Sequence, residues 1–204
     1  AGDSERRERW LAQVRYGFER IRTIVSSLSN FARARPTGGP ANVARTVEQA
    51  LALLRHSSGF RGVEVQCEGV AEASDVAVDP GQLEQVLINL LLNASRAMEG
   101  EGRIWIRART IDDPRSGASS VEITHEDEGP GIAEEALETI FDPFFSTTGS
   151  TGLGLSVSYG IITAHGGALS AENRPEGGAR FTIRVPAATP AAVPEERGAK
   201  RAAE

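Results

Sequence analysis

The chain has 204 residues, of which 40% are hydrophobic and 25% charged, enough for one cored domain with additional segments. Its net charge of −6 argues against sequence-independent binding to nucleic acid or to an anionic membrane surface, because both require basic patches. A single cysteine excludes an internal disulfide, so a reducing, cytoplasmic location is expected. The three histidines do not cluster at the spacing of metal ligands, so no structural zinc is expected.

A long helix is predicted from residue 4 to about residue 35. Its apolar residues recur at alternating spacings of three and four: Leu11, Val14, Phe18, Ile21, Val25, Leu28 and Ala32. So narrow a heptad stripe needs partner helices, although packing on its own domain is the alternative. The sequence from Pro36 to Pro40 ends the helix, so we predict a stalk at residues 1–36 and a separate domain at residues 37–187.

The domain at residues 37–187 mixes helical and strand patterns, which indicates an α+β fold with helices backing a mixed sheet. Helices are predicted at 42–55, 82–98, 133–140 and 155–164. Strands are predicted at 63–67, 75–78, 102–110, 120–125, 168–172 and 180–185, the third and fourth as an antiparallel pair. The longest apolar run, 86–92, is too short to cross a bilayer, and residues 188–204 have the composition of a disordered tail or linker.

Three separated segments carry the chemical information: QVLINLLLNA at 85–94, DEGPGI at 127–132 and GLGL at 152–155. Each alone is a weak signal. In this order they resemble the asparagine box and two glycine boxes of the GHKL ATPase superfamily, specifically its sensor histidine kinases. The sequence FDPFF at 141–145 resembles the intervening phenylalanine box. This resemblance covers about residues 15–187 and implies the Bergerat fold, a two-layer α/β sandwich, with ATP and Mg²⁺ as cofactors.

Asn89 and Asn93 lie one turn apart on a predicted helix, so both carboxamides are expected on one face. Neutral oxygen ligands suit a hydrated magnesium that already bridges phosphates. The resemblance implies that Asn93 is the magnesium ligand, with Asn89 beside it. Without the other boxes, two satisfied polar groups in the core would be the better interpretation. Arg96 stands where the family often has a basic residue that reaches the phosphates, the alternative being a solvated helix charge.

Asp127 follows a predicted strand and precedes two glycines, so its carboxylate can point into a pocket that side chains do not fill. The resemblance implies that it accepts a hydrogen bond from the adenine amino group; a strand-end turn is the alternative. The second glycine segment precedes an apolar helix, whose N-terminus and backbone amides can bind a polyphosphate. The nucleotide-binding residues implied are therefore Asp127, Gly129, Gly131, Ile132, Phe141, Gly152, Leu153, Gly154 and Leu155.

The sequence departs from the family pattern in the loop 146–151 and at His125, and Asn89 distinguishes it from hydrolysing members of the superfamily. Asn89 occupies the position where hydrolysing relatives carry a glutamate that activates water, and an amide cannot act as that base, which favours transfer over hydrolysis. The loop 146–151 is shorter than the usual lid and contains no lysine, so either the lid is short or a mobile stretch is missing from the sequence. His125 replaces an apolar residue, and we interpret it as a packed neutral histidine.

The family's phosphoacceptor, a histidine followed by an acidic residue on the first stalk helix, does not precede Leu11. Segment 1–36 looks like the second stalk helix, so this chain alone is expected to bind ATP without phosphorylating itself. The resemblance implies a homodimer through the stalk, phosphoryl transfer to a stalk histidine, and relay to an aspartate of a response-regulator receiver domain. The alternatives are an anti-sigma-type serine kinase and a nucleotide-binding or dimerisation module without transfer.

Overall fold

The computed structural model describes residues 39–188, except His56, Arg115 and residues 147–150. The predicted stalk helix, almost all of the predicted tail and most of the predicted short lid therefore lie outside the described residues. Within the described part, no helix is long and apolar enough to cross a membrane.

The described strands form a single five-stranded mixed sheet. They are β1 (Gly62–Glu68), β2 (Glu101–Asp112), β3 (Ser119–Asp127), β4 (Ala168–Asn173) and β5 (Ala179–Pro186), arranged in the order β1-β2-β3-β5-β4. β1 runs parallel to β2, and the other neighbours are antiparallel. The predicted antiparallel pair of β2 and β3 is confirmed.

The two longest described helices begin at residues that local chemistry favours. They are α1 (Val43–Leu54), α2 (Pro80–Ala97), α3 (Glu134–Leu137) and α4 (Gly154–Ala164), with one 3₁₀ turn at Ser58–Phe60. The Asn42 side chain accepts a hydrogen bond from Arg45 N and so caps α1. At α2, Asp79 accepts from the backbone of Gly81 and Gln82, and proline occupies the first helical position, where its missing N–H costs nothing.

The core lies between the helices and one face of the sheet. On β2 and β3 every second residue is buried on this side, and α2 contributes an apolar face. Each fully buried large aliphatic side chain stabilises the fold by about 1.5–3 kcal/mol. The fully buried large aliphatic side chains include Leu83, Leu87, Leu90, Leu91, Ile104, Ile106, Ile123, Ile162 and Ile183. The two-layer α/β sandwich expected from the sequence is thus confirmed.

His125 also lies in this core. It is fully buried on β3, opposite Ile106 of β2 and Phe181 of β5, with its ring 6.5 Å from that of Phe181. Neither ring nitrogen has a hydrogen-bond partner among the described residues. Burial lowers the pKa of His125 to about 4, so the ring is neutral at pH 7. This agrees with its interpretation as a packed neutral histidine.

The opposite face of the sheet carries a row of ion pairs that crosses all five strands, which we call the charge ladder: Glu68, Arg107, Glu126, Arg180 and Glu172. Arg107 donates to Glu68 and Glu126 at 2.8 and 2.9 Å. Arg180 donates to Glu126 and Glu172 at 2.7 and 2.9 Å. Burial alone would raise the pKa of Glu126, but the hydrogen bonds from Arg180 and Arg107 outweigh it and hold the pKa below its usual value.

The buried middle of the charge ladder is expected to contribute much more stability than its exposed end. Glu126→Ala leaves Arg107, Arg174 and Arg180 without their shared carboxylate, and we expect it to cost about 2 kcal/mol because these arginines keep only partial access to water. Glu68→Ala, a control at the exposed edge, should cost less than about 0.5 kcal/mol. Urea unfolding at pH 7 measures both changes. Equal losses of unfolding free energy in the two variants would show that the burial of Glu126 does not increase its contribution to stability.

Two strand predictions differ from the structure. The segment 75–78 is not a strand: only Val76 forms bridges, to Ala41 and Ala187. A longer strand cannot form after Val76 because α2 already begins at Pro80, and a proline cannot donate a hydrogen bond to a neighbouring strand. The strand predicted at 120–125 extends to Asp127, which pairs with Ile104, so the aspartate ends the strand instead of following it.

Candidate functional site

A cavity of about 180 Å³ lies between α2, the end of β3 and the start of α4. The predicted residues Asn93, Asp127, Gly131 and Ile132 line it, although they are far apart in the chain. Gly152, Gly154 and Leu155 of the second glycine segment also line it. The fold therefore brings residues from all three sequence motifs to one cavity.

Asp127 is held in one orientation by backbone groups. Its Oδ1 accepts hydrogen bonds from Gly129 N at 2.9 Å and from Ala179 N at 3.2 Å. Its Oδ2 has no partner among the described residues, although the side chain is buried. One carboxylate oxygen is thus saturated, and the other remains available to a ligand that donates a hydrogen bond.

Two opposing effects act on the ionisation of this carboxyl group. Burial raises the pKa of Asp127, whereas the hydrogen bonds from Gly129 and Ala179 and the positive charge of Arg174 lower it. The pKa remains above its usual value because burial is the largest effect. No described cation forms an ion pair with the Asp127 carboxylate, so its Oδ2 suits a neutral donor such as an amino group.

The first glycine loop approaches the turn between β4 and β5 so closely that a side chain would not fit. Gly131 has a φ of +82°, and a Cβ built there would lie 2.7 Å from Asn173 Oδ1. Asn173 in turn accepts from Ile132 N and donates to Ile132 O, both at 2.7 Å. The loop backbone is therefore fixed against the turn, and glycine at 131 is a steric requirement.

The second glycine segment leads directly into α4, and no side chain of the described residues caps this helix. The first-turn N–H groups of a helix have no helical acceptor, so those of α4 can bind an anion. Gly152 has a φ of +66°, and a Cβ there would lie 2.3 Å from the carbonyl carbon of Phe144. This glycine allows the segment to pack against the phenylalanine box.

Asn89 connects α2 to the start of α4. Its Oδ1 accepts from Gln85 at 3.0 Å, and its Nδ2 donates to Gly154 O at 3.0 Å and to Ser158 Oγ at 3.1 Å. Both ends of this carboxamide thus have protein partners. Asn93 differs, because it lines the cavity and has no hydrogen-bond partner among the described residues. Of the two predicted metal ligands, only Asn93 has no protein partner within the part of the chain that the structure describes.

The remaining predicted site residues do not line the cavity. Arg96 is exposed on α2 and has no ion pair within the described part of the chain. Phe141 packs against the core and against Tyr159, with ring centroids 5.3 Å apart. Gly129 packs against α2, where a Cβ would lie 3.3 Å from Ala97 Cβ, and Leu153 is the residue before α4.

Sequence reasoning missed the apolar lining of the cavity. Small, aliphatic and aromatic side chains complete its walls: Ala94, Ala97, Ala133, Ala136, Ile140, Phe145, Ala179 and Phe181. The helical period identifies Ala94 as an inward residue of α2, and the alternation of β5 does the same for Phe181. Neither pattern distinguishes a residue that lines a cavity from one that fills the core.

A larger concavity of about 730 Å³ lies on the opposite face, over the charge ladder. Its floor also contains a second ion-pair row in which buried Glu122 accepts from Arg109 and Arg184. The charged side chains that line it are paired with one another. The smaller cavity is the better candidate site because two of the polar groups that line it, Asp127 Oδ2 and the Asn93 carboxamide, have no partner among the described residues.

Residues 78–189 match the family described as histidine kinase-, DNA gyrase B- and HSP90-like ATPases. The chain belongs to this ATPase family. The sensor histidine kinase ZraS of Klebsiella oxytoca is 34% identical over 170 residues, which cover 82% of this chain and 36% of ZraS. The two-component sensor PprA of Pseudomonas aeruginosa is 38% identical over 192 residues, which cover 92% of this chain and 20% of PprA.

The fold of this ATPase domain also matches a solved kinase structure. Full-length ShkA in complex with AMPPNP superposes with a TM-score of 0.70 and 26% identity over 90% of this chain and 39% of ShkA. The GHKL resemblance is therefore confirmed, and the chain carries the ATP-binding catalytic domain found in sensor histidine kinases. It spans well under half of the length of ZraS and PprA.

Proposed function

We propose that this domain binds Mg-ATP in the cavity between α2, β3 and α4, and that it transfers the γ-phosphoryl group to a histidine of a stalk helix. One observation carries the proposal. Asp127 Oδ2 and the Asn93 carboxamide lack partners among the described residues and line the same cavity as the N-terminal end of α4. A base-binding acceptor, a metal-binding oxygen and a phosphate-binding helix end are thereby combined in one site.

The base end of the site would select adenine. Its amino group donates to Asp127 Oδ2, while Gly129 and Ala179 hold Oδ1. A base with a carbonyl oxygen at the same position would place an acceptor against a carboxylate and be rejected. The apolar walls around the aspartate, including Ile132 and Phe181, can cover the faces and edges of a planar base.

The phosphate end lies at α4. The amides of its first turn, entered through Gly152 and Gly154, can donate to phosphate oxygens, and the helix dipole favours their negative charge. Arg96 is exposed and unpaired within the described residues, so its guanidinium can turn towards the phosphates at little cost.

The donor set fits a magnesium ion that arrives with the nucleotide. Asn93 contributes a neutral amide oxygen, which suits a metal that keeps waters and takes most of its negative charge from phosphates. Bound Mg²⁺ would neutralise charge on the β- and γ-phosphate oxygens. Asn89 was also predicted as a ligand. We propose instead that its main role is to tie α2 to Gly154 and Ser158, because its Oδ1 already accepts from Gln85.

The chemistry favoured at this site is transfer rather than hydrolysis. Asn89 stands at the position where hydrolysing relatives carry a water-activating glutamate, and a carboxamide cannot remove a proton from water. An incoming imidazole nitrogen supplies the nucleophile: the new P–N bond forms as the bond between the γ-phosphorus and its bridging oxygen breaks, and ADP leaves. In the whole protein we propose a stalk-mediated homodimer, relay to a receiver-domain aspartate, and a cytoplasmic location for this domain.

A transfer assay tests this function. The chain is incubated with γ-³²P-labelled ATP, Mg²⁺ and the separately purified two-helix stalk of ZraS. We expect acid-labile, base-stable label on the supplied stalk and none on the chain itself. Asn93→Ala should reduce the transfer rate at least about tenfold, since it removes the proposed metal ligand.

Two controls make this result interpretable. The ZraS catalytic domain, assayed with the same stalk, shows that the acceptor is competent, and a stalk whose acceptor histidine is replaced by alanine must stay unlabelled. ATP binding without transfer would support a nucleotide-binding module instead. Acid-stable phosphoserine on a partner protein would support the serine-kinase alternative.

A further inference from the structure

We call residues 173–179 the β4–β5 turn: they comprise the last residue of β4, the connecting residues and the first residue of β5. This turn contacts both Asp127 and the first glycine loop. We propose that Asn173 and Arg174 are positioning residues for nucleotide binding, which set the selectivity of the site for a 6-amino purine without touching the nucleotide. Neither residue lines the cavity, and neither belongs to the three sequence motifs. This inference rests on the proposed ATP-binding function of the same site.

Asn173 fixes the glycine loop by a two-point contact. Its Oδ1 accepts from Ile132 N and its Nδ2 donates to Ile132 O, each at 2.7 Å. One carboxamide thus holds both polar backbone groups of a residue that lines the cavity. Because Gly131 lacks a Cβ, the Asn173 side chain can approach this closely.

Arg174 holds the backbone of Asp127. Its Nη1 donates to Asp127 O at 2.8 Å, and its side chain is only 12% exposed. The guanidinium lies over the Trp105 ring, 4.8 Å from its centroid, and its Nε lies 3.5 Å from Glu126 Oε2. That distance and geometry make an ion pair without a hydrogen bond. Because Arg174 stacks on Trp105 and pairs with Glu126, its side chain has little conformational freedom. It can therefore hold the end of β3 in place.

The other end of the turn completes this support. Ala179 N donates to Asp127 Oδ1, so the turn contacts the carboxylate as well as the carbonyl of the same residue. Gly178 makes the approach possible: its φ is +87°, and a Cβ there would lie 1.8 Å from Asp127 O. The turn and Asp127 are therefore packed backbone to backbone. This restricts rotation of the Asp127 side chain, so its Oδ2 keeps one position.

Base selectivity is the property that this arrangement controls. A rigid carboxylate oxygen favours an amino group and rejects a carbonyl oxygen, whereas a carboxylate that can rotate or withdraw discriminates less. Loosening the turn should therefore weaken binding of ATP more than binding of ITP, whose base has an oxygen in place of the amino group. Partial unfolding, in contrast, would weaken binding of both nucleotides by the same factor.

The experiment compares the affinities of ATP and ITP by calorimetry for Asn173→Ala and Arg174→Met. A matched control is Arg184→Met, which makes the same change on β5 and removes an ion pair with buried Glu122 that does not involve Asp127. We expect each test variant to lose about tenfold in the ratio of ATP to ITP affinity, and the control to keep the wild-type ratio. Circular dichroism melts confirm that each variant is folded at the assay temperature.

Asn173→Asp and Arg174→Lys extend the test if the larger changes prevent folding. Each keeps one part of the original contact, the acceptor for Ile132 N and the positive charge respectively, so an intermediate ratio is expected. Unchanged ratios in folded variants, or equal losses of ATP and ITP affinity, overturn the inference while the proposed function stands. A wild-type protein that binds neither nucleotide overturns the proposed function, and this inference with it.

Discussion

Replacing Asp127 by asparagine is expected to weaken ATP binding about a hundredfold while the fold stays intact. The asparagine Oδ1 can still accept from Gly129 N and Ala179 N, so the backbone contacts survive. Its Nδ2 then occupies the place of Oδ2 and presents a donor to the adenine amino group, which is also a donor. Flipping the carboxamide would not restore binding, because Nδ2 would then lie against the backbone N–H groups of Gly129 and Ala179, which are also donors.

The stability of this variant separates a binding defect from a folding defect. Burial raises the pKa of Asp127, so at neutral pH the buried charge opposes folding. A neutral asparagine of the same shape removes that cost, and the Tm is expected to be equal to or above that of the wild type. A carboxylate simply needed for the fold would give the reverse result.

Calorimetric titration with ATP, alongside thermal melts, measures both quantities. Asp112→Asn is the matched control: Asp112 accepts a hydrogen bond from Ser119 Oγ at 2.6 Å on the exposed part of β2, away from the cavity. Its affinity for ATP should equal that of the wild type. If the Asp127 variant kept the full wild-type affinity for ATP, Asp127 would not be the residue that recognises adenine.

Stability is expected to fall by up to about 3 kcal/mol as the pH is lowered from 7 to 4, because of His125. The histidine pKa is about 4 in the folded protein and about 6.5 in an unfolded chain. Between these values the unfolded chain binds a proton that the native protein does not, so acid favours unfolding. About 2 kcal/mol of the loss should be reached by pH 5.

The glutamates of the open sheet face act in a lower pH range. Hydrogen bonds from arginines outweigh burial and hold the pKa values of Glu122 and Glu126 below their usual value. Their contribution to stability is present above the pKa of an unfolded glutamate, about 4.3, and is lost as the pH falls through the lower folded values. Between pH 7 and pH 5, therefore, the effect of His125 on stability can be measured without a contribution from Glu122 and Glu126.

Urea unfolding at pH 7, 6 and 5 measures the His125 effect. His125→Leu keeps an apolar side chain in the core and should flatten the pH dependence across this range. Ile123→Val, a core change on the same strand that removes no titratable group, should retain the wild-type slope. An unchanged slope in the His125 variant would show that this ring does not control acid stability.

The local elements were predictable because their signals lie within a few residues. Asn42 and Asp79 mark helix starts by capping, and the 3.6-residue period of α2 identifies its buried face. The antiparallel β2–β3 pair followed from alternation on both sides of a turn. The predicted strand at 75–78 was wrong because its bridges depend on distant partners, Ala41 and Ala187, that no local pattern specifies.

The amino-acid sequence by itself determined the family, the sandwich fold and the cavity positions of Asn93 and Asp127, because motif order and periodicity are properties of the linear chain. Only the tertiary structure decided that Asn89 donates to Gly154 and Ser158, while Asn93 has no partner among the residues that the structure describes. The physical reason is that hydrogen-bond satisfaction depends on which groups meet after folding. The same reason hides Asn173 and Arg174 from motif analysis, since they reach the site only when β4 and β5 pair beside β3.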